Sequence, residues 1–475
     1  VGATALCANT DGDNNTAVGM CALKANTTGF RNTGLGHRAL DSNTDGTCNT
    51  AVGMTALGAN IGGTQNTAMG VEALALNSTA SNNTAVGFQA MCKNTTGGGT
   101  AVGAFALDAN TTGIHNVAVG GGSLTKNTTG DFNVAIGINS LCTNVTSDSN
   151  TAVGYFALKL NTGAGNVALG HESLSANTTA SDNTAIGANT LKANTTGTSN
   201  VSVGTQSLQN NISASCNTAV GMKAMCSNTT GAGNVGIGTC TLKANTEGTL
   251  NTAVGTFALD ANTTASNNTS IGYNSLTANT TGTNNTALGQ RAGQAITTSS
   301  GNTAIGVNAL CTHTQTGIDN TAVGFCALKG STTAYFNTAI GKSAAVNVTT
   351  GSDNIFVGRS SGSDAMLNIT SESNRAVIGS NVITNAYVKV AWTVVSDLRD
   401  KTNFGTVPHG LDFVNKLEPV SFQFKKSRED DTPHGDVRYG FKAQDIMALE
   451  GDNPVIIDNE NDEVLKYNGE ALVPV

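Results

Sequence analysis

The sequence predicts a mainly β protein, a repetitive parallel β-solenoid (β-roll) rod followed by a small α+β domain. A five-residue stretch, Asn15–Gly19 (NTAVG), returns almost unchanged about every 17 residues along most of the chain. A fixed period of this length indicates stacked copies of one supersecondary unit. Only 12% of the residues are charged and 4% are aromatic, while 57 residues are glycine. Such a composition supplies too few large side chains for an ordinary globular core.

The repeated stretch has the pattern of a short β-strand that ends at a glycine. Glycine at this point allows the chain to turn, or allows another backbone to approach closely. The residue before the glycine is always Val, Ile, Leu or Met, and we expect it to line the interior of the stack together with a later leucine. Clear copies of the stretch occupy residues 49–53, 150–154, 251–255 and 320–324.

Each repeat continues with an Ala-Leu pair, such as Ala22-Leu23, and then with a turn, such as 26–29. We expect the pair to form either a second short strand or one helical turn. One repeat offers about two apolar side chains, so it needs its neighbours to fold. A coil this thin would bury more surface if several chains associated along the rod. We interpret the Asn-x-Ser/Thr triplets at Asn26 and Asn262 as stacked polar ladders rather than glycosylation sites.

The charge and apolar patterns exclude several classes of partner. The net charge is −8, and no basic stretch is dense enough to follow a phosphate backbone, so we expect no nucleic-acid partner. No run approaches 18 apolar residues, so we expect no membrane insertion. The acidic residues Asp108, Glu172 and Asp260 stand alone, whereas a polysaccharide-degrading enzyme needs paired carboxylates.

The ten cysteines form no CxxC pair. Cysteines at equivalent repeat positions never fall in adjacent repeats, so a ladder of disulfides would be difficult to build. We interpret them as small buried hydrophobic residues. The few histidines do not cluster with them, so we expect neither a metal site nor a cofactor.

The composition changes at Ser396, beyond which all five prolines lie. We therefore predict a repeat shaft at 1–379, a connecting strand at 380–395 and a second domain at 396–475. Within the second domain we expect a helix at 409–417, a strand at 420–424, a polar loop at 425–435, a helix at 443–447 and paired strands at 455–457 and 464–467.

Chemistry is suggested by a serine that precedes a lysine by five residues, Ser396 and Lys401. A lysine amine can act as the general base for a serine if burial lowers its pKa toward neutrality. Spacing alone favours a simple solvated charged turn over a catalytic pair.

Several short motifs of this region occur in an order that resembles the intramolecular chaperone auto-processing domain of phage tail fibres and endosialidase tailspikes. In that family the domain helps three chains to align and then cuts itself off just before the serine. The resemblance implies that Ser396 is the nucleophile, that Lys401 is the general base and that the Val395–Ser396 bond is cleaved. Structural support is implied for Asp397, Arg399 and Asn403. The motifs are 396–403, Gly410-Leu411, Leu417 with Pro419-Val420, and Tyr439-Gly440-Phe441 with Ala443-Gln444.

The family domain usually continues into helices that form a trimeric coiled coil, so we expect this one, ending at Val475, to be truncated. The repeats are separately similar to the β-roll stalks of tail fibres and trimeric adhesins. The interpretation is a homotrimeric shaft of a viral tail fibre, located in the virion or outside the cell. Its enzymatic activity would be one self-cleavage by a Ser-Lys dyad. A bacterial extracellular filament or adhesin is the alternative, and the receptor would be a host surface glycan or protein.

Overall fold

The structure, a computed structural model, describes residues 1–313, 317–365, 367–384, 387, 410–427, 430–451, 456–458 and 466–467. It divides into two compact units, Val1–Asp319 and Asn320–Val475. The predicted fold class is confirmed, since 22 short parallel strands form a β-solenoid with the period of the sequence repeat. A small antiparallel sheet and two short helices follow.

One strand of three or four residues marks each coil of the solenoid. Strands of neighbouring coils pair in parallel and in register, so that Thr50 lies beside Thr67 and Ala51 beside Ala68. The first unit contains β1 (Thr16–Val18), β2 (Thr33–Leu35), β3 (Thr50–Val52), β4 (Thr67–Met69), β5 (Thr84–Val86), β6 (Gly99–Val102), β7 (Asn116–Val119), β8 (Val134–Ile136), β9 (Thr151–Val153), β10 (Val167–Leu169), β11 (Thr184–Ile186), β12 (Val201–Val203), β13 (Thr218–Val220), β14 (Val235–Ile237), β15 (Thr252–Val254), β16 (Thr269–Ile271), β17 (Thr286–Leu288) and β18 (Thr303–Ile305). The second unit contains β19 (Thr321–Val323), β20 (Thr338–Ile340), β21 (Ile355–Val357) and β22 (Ala376–Ile378).

The interior of a coil is lined by alanine and leucine, and the predicted inner column of Val and Ile is wrong. In β3 the central Ala51 is fully buried, whereas Val18 of β1 is 40% exposed. Successive strand residues point to opposite faces, so only one of the two can face inward. The interior has room for no more than a methyl group there, because a Cβ built on Gly34 would lie 3.3 Å from Ala39 O and 3.4 Å from Leu23 Cγ.

The Ala-Leu stretch forms neither of the two expected elements, a second strand or a helical turn. Cys21 and Leu23 adopt left-handed backbone conformations, with φ of 58° and 51°. Their amides consequently bond in opposite directions along the stack, from Cys21 to Ala3 O and from Leu23 to Ala39 O. The resulting turn directs the leucine side chain inward, where Leu23 is fully buried.

The glycine that ends each strand is required by close backbone approach, as predicted. Gly19 has φ of 136°, a region that side chains other than glycine rarely adopt. A Cβ at Gly19 would also collide with the carbonyl group of Gly36 in the next coil.

Two buried columns of asparagine complete the interior. In the column of the turn, Asn43 Nδ2 donates to Asn26 Oδ1 at 2.8 Å and to Gly46 O at 3.0 Å. In the column that precedes the strands, Asn49 N bonds to Asn32 Oδ1 at 3.0 Å. The triplets at Asn26 and Asn262 therefore form polar ladders, and their fully buried amides are not available to a glycosylating enzyme in the folded chain.

None of the ten cysteines, all of which lie in the described part of the chain, forms a disulfide. The prediction of buried hydrophobic residues holds for Cys240 and Cys326, while the other eight are half-buried or exposed. Burial raises the pKa of Cys92 and of Cys142, which keeps these two thiols protonated and weakly reactive.

The C-terminal part of the second unit contains helix α1 (Leu411–Val414), strands β23 (Val420–Ser427) and β24 (Asp430–Gly440), helix α2 (Ala443–Glu450) and strands β25 (Ile457–Asp458) and β26 (Lys466–Tyr467). Both predicted helices and the predicted strand pair are present. The predicted polar loop at 425–435 is wrong, because β23 and β24 form an antiparallel hairpin through this segment. Pro433, which cannot donate a ladder hydrogen bond, lies opposite Lys425, between the two register shifts of the hairpin. Neither helix in the described part of the chain could cross a membrane.

Candidate assembly face and processing region

The predicted processing residues Ser396 and Lys401, and the predicted cleavage point after Val395, lie outside the described residues. The same applies to the three positions with implied structural support, Asp397, Arg399 and Asn403. All of these roles stay predictions.

The described residues after 410 form the scaffold that follows this segment. A small apolar core joins Phe413 of α1, Ile446 of α2 and the adjacent Ile456 and Ile457. The carboxylate of Glu450 accepts hydrogen bonds from the amides of Ile456 at 2.6 Å and Ile457 at 3.0 Å. These bonds fix the end of α2 against the start of β25.

A cleft of about 400 Å³ borders helix α2 in this region. Its charged lining residues are Lys416, Glu418, Lys442 and Asp445, two of each sign. Lys442 and Asp445 form an ion pair at 3.3 Å on the surface. No serine, cysteine or histidine lines the cleft, so its described residues offer no nucleophile and base for acyl transfer.

Each of the two units carries a regular surface that we call the outer strand face. We define it as the two outward residues of each strand, from Thr16 and Val18 in β1 to Ala376 and Ile378 in β22. The first residue of each pair is Thr, Val, Ile or Ala, and the second is Val, Ile, Leu or Met. The face therefore carries no charged residue on any of the 22 strands.

The second residue of these pairs is exposed on 13 of the 22 strands and half-buried on the other nine. Leu35 and Leu169 are each 46% exposed in the first unit, and Ile340 is 44% exposed in the second. The second residues of neighbouring strands are one coil apart, which is about 4.8 Å along the stack. The aliphatic side chains of this column form no hydrogen bonds and carry no charge, so contact with water is unfavourable for them.

This face was not predicted from the sequence, because the Val and Ile residues were expected in the interior of the stack. The signal that could have identified it is the alternation itself. An alanine between two larger residues in most strands indicates which side is tightly packed, and so indicates that the larger neighbours face outward.

Comparison with protein families supports the interpretation of the C-terminal region. Residues 396–454 match the family described as the chaperone of endosialidase. No curated protein and no solved structure was found to match the chain. The match confirms the resemblance that the short motifs suggested. The chain thus joins a regular parallel β-solenoid to a C-terminal region that matches the chaperone-of-endosialidase family, an organisation that fits a tail fibre with a C-terminal chaperone.

Proposed function

We propose that the chain is the structural shaft of a viral tail fibre, in which three copies associate through the outer strand face. The C-terminal region would align the chains and then separate from the shaft by cleaving the Val395–Ser396 bond. The observation that carries this proposal is the uncharged, exposed face of aliphatic residues, together with the family match at 396–454.

The size of the face supports an interface. An aliphatic side chain at this exposure presents on the order of 40 Å² of apolar area, so the 18 strands of the first unit present roughly 700 Å². The largest apolar patch of an ordinary monomer is about 300–600 Å², and one partner in a stable complex contributes about 800 Å².

A second copy of the same chain is the occupant that fits best. The aliphatic groups repeat at the spacing of the coils, and a partner must offer the same spacing to pack against each of them. Another solenoid of the same repeat does so along its whole length. The number of chains, three, comes from the family resemblance.

The proposed cleavage needs no cofactor. Lys401 would take the hydroxyl proton of Ser396 as the Ser396 oxygen attacks the carbonyl carbon of Val395. The carbon–nitrogen bond breaks, and the proton passes to the new amino group of Ser396. Water then hydrolyses the Val395 ester and releases a carboxylate. The reaction would occur once in each chain.

The intact mass of the denatured full-length gene product tests this proposal. We expect the unmodified chain to yield two fragments that meet between Val395 and Ser396, and we expect Ser396→Ala and Lys401→Ala to remain whole. Ser421→Ala, at an exposed position in β23, is the matched control and should still be cleaved. Cleavage of Ser396→Ala at the same bond would overturn the assignment.

A bacterial extracellular filament or surface adhesin is the second candidate, because it could use the same repeats and the same face. Tail genes beside the coding sequence would favour the viral shaft. A secretion signal encoded upstream of Val1 would favour the filament. The partner beyond the chain itself would be a glycan or protein of the host surface.

A further inference from the structure

One coil of the first unit is a residue short, and the deletion leaves a notch in its surface. The short repeat runs from Asn83 to Gly98, and it lacks the residue that elsewhere precedes the buried asparagine. The neighbouring coils carry Asn82 and His115 at this position, both in left-handed conformations with φ of 63° and 57°. Between them the chain runs through Gly97, Gly98 and Gly99, which have no side chains.

The glycine at the floor of the notch is enforced by the strand. Gly99 replaces the usual asparagine and pairs with Asn116 of the next coil. A Cβ at Gly99 would collide with the Asn116 carbonyl oxygen, so no side chain can fill the space from this residue. The resulting cleft has a volume of about 520 Å³. Small-molecule sites typically occupy about 300–1,000 Å³.

The deletion also interrupts a regular column of hydrogen bonds. At this position the amide of each coil normally donates to the carbonyl group of the preceding coil, as Asn82 N does to Thr64 O at 3.0 Å and Phe132 N to Ile114 O at 3.1 Å. Within the described residues, neither the His115 amide nor the Ser81 carbonyl oxygen makes this bond. One wall of the notch therefore presents a donor and the other an acceptor.

An aromatic surface borders the same space. The His115 ring stacks on Phe132 of the next coil, with centroids 5.2 Å apart and planes at 21°. Phe132 covers one face of the imidazole, which leaves the other face for a ligand, and His115 lines the cleft. Phe132, behind it, is 56% exposed and broadens the apolar surface. The two walls lie two coil spacings apart, about 10 Å.

We propose that this notch binds one neutral pyranose ring of a glycan. A sugar hydroxyl can both accept from the His115 amide and donate to the Ser81 carbonyl group, and the apolar C–H face of the ring can pack on the imidazole. The lining residues include no Asp, Glu, Lys or Arg, which disfavours phosphate and acidic sugars. The inference adds a ligand to the proposed shaft and does not depend on its assembly.

A second short coil in the same unit provides an internal control. The repeat from Asn150 to Gly165 also lacks one residue, but its deletion falls in the turn after Asn161. There the column of amides is intact, since Gly165 N donates to Asp148 O and Asp182 N to Ala164 O, each at 3.2 Å. A short coil alone therefore does not create the donor and the acceptor.

Saturation-transfer NMR on the full chain tests the proposal. The probes are the methyl glycosides of glucose, galactose, mannose and N-acetylglucosamine, each at about 10 mM, which detects millimolar affinity. We expect at least one probe to receive saturation, and the sialic acid glycoside to receive none. Absence of saturation for all four neutral probes would overturn the proposal.

Restoring the missing residue locates the binding. One asparagine inserted between Gly98 and Gly99, together with Gly99→Asn, recreates a coil of ordinary length and fills the notch, so binding should disappear. The matched variant, one threonine inserted between Thr162 and Gly163, should bind as before. Phe132→Ala should weaken binding at least about fivefold without altering the backbone column, a loss of about 1 kcal/mol.

Two outcomes separate this inference from the proposed assembly. Unchanged binding in the filled variant would contradict the notch as the sugar site, whatever the number of associated chains. The native mass of each variant is measured on the same sample. A monomeric chain that still binds sugar through the notch would contradict the assembly alone.

Discussion

The coils up to Asn279 and two later coils, those of Gly293 and Gly362, fill the same interior in two different ways. In the first group a buried leucine stands beside the asparagine column, as Leu191 does beside Asn194. In the second group the leucine lapses to glycine at Gly293 and Gly362. Volume then comes from another inward position, because Ile296 fills the space beside Gly293 and Phe356 the space beside Gly362.

The difference shows that the solenoid needs a filled interior at each coil more than it needs one fixed residue pattern. Filling the interior with Ile296 also costs stability, because Ile296 occupies the place of an asparagine and so ends the asparagine column. Asn279 Oδ1 is consequently buried without a hydrogen-bond partner among the described residues. Substitutions can alter either way of filling the interior. Each is measured by hydrogen exchange of the affected coils, because a repeat array opens locally.

Phe356→Ala should have the largest effect, lowering the local free energy of unfolding by about 3–5 kcal/mol. The substitution empties the space that Phe356 fills for the absent leucine. The double variant Phe356→Ala/Gly362→Leu recreates the ordinary alanine and leucine pair, and it should recover most of the loss. A double variant no more protected than the single one would contradict this account of the lapse.

Asn194→Ala should follow, with a loss of about 2–4 kcal/mol. Asn194 Nδ2 donates to Asn177 Oδ1 at 2.8 Å and to Gly197 O at 2.9 Å, and its Oδ1 accepts from Asn211 at 2.8 Å. The substitution leaves these buried groups unsatisfied. Thr196→Ala, at an exposed position of the same turn, is the control and should change protection little. Equal effects of the two would mean that the column contributes no stability.

Gly293→Leu/Ile296→Asn should stabilise its coil by about 1–2 kcal/mol. The pair restores the leucine and offers an amide donor to the unsatisfied Asn279 Oδ1. Ile296→Asn alone should destabilise the coil, because it leaves the space beside Gly293 empty. If Ile296→Asn alone stabilised the coil, the space beside Gly293 would not need to be filled for the coil to be stable.

His313 takes the asparagine position in one later coil and should make that coil sensitive to acid. It is fully buried, and its Nε2 donates to Gly317 O at 2.7 Å. Burial lowers the pKa of His313. The unfolded histidine takes a proton near pH 6.5 while the folded one resists it, so stability is complete above about pH 6.5 and falls below it.

Protection factors of this coil at about pH 7.5 and about pH 5.5 measure the effect. The variant His313→Asn removes the titrating group and should flatten the dependence. Equal protection of the unaltered chain at the two values would contradict the buried neutral imidazole.

The solenoid could be predicted from the sequence, because the strand and the glycine that ends it recur together with the period of one coil. The direction of Val18 and its equivalents was not recovered, since a strand of three residues fits either face until the size of the interior is known. The turn at Cys21 and Leu23 was also missed, because residues other than glycine seldom adopt left-handed conformations in series.

In the C-terminal region, short motifs identified a family that neither composition nor period could suggest. The polar stretch 425–435 was assigned to a loop because its charged residues and Pro433 disfavour strands. Pairing with β23 outweighs that preference. The predicted roles of Ser396 and Lys401 rest on the family resemblance, because their spacing alone is also that of a solvated charged turn.

The most direct test of the proposed assembly is the native mass of the full-length product with and without charge on the outer strand face. We expect the unaltered shaft to have three times the mass of the fragment that ends at Val395 and Ile237→Lys/Ile271→Lys to be monomeric, because both side chains face outward. The control Thr264→Lys/Thr281→Lys adds the same charge at exposed turn positions and should stay trimeric. A monomeric unaltered shaft, or a trimer that tolerates lysine at both face positions, would contradict the account.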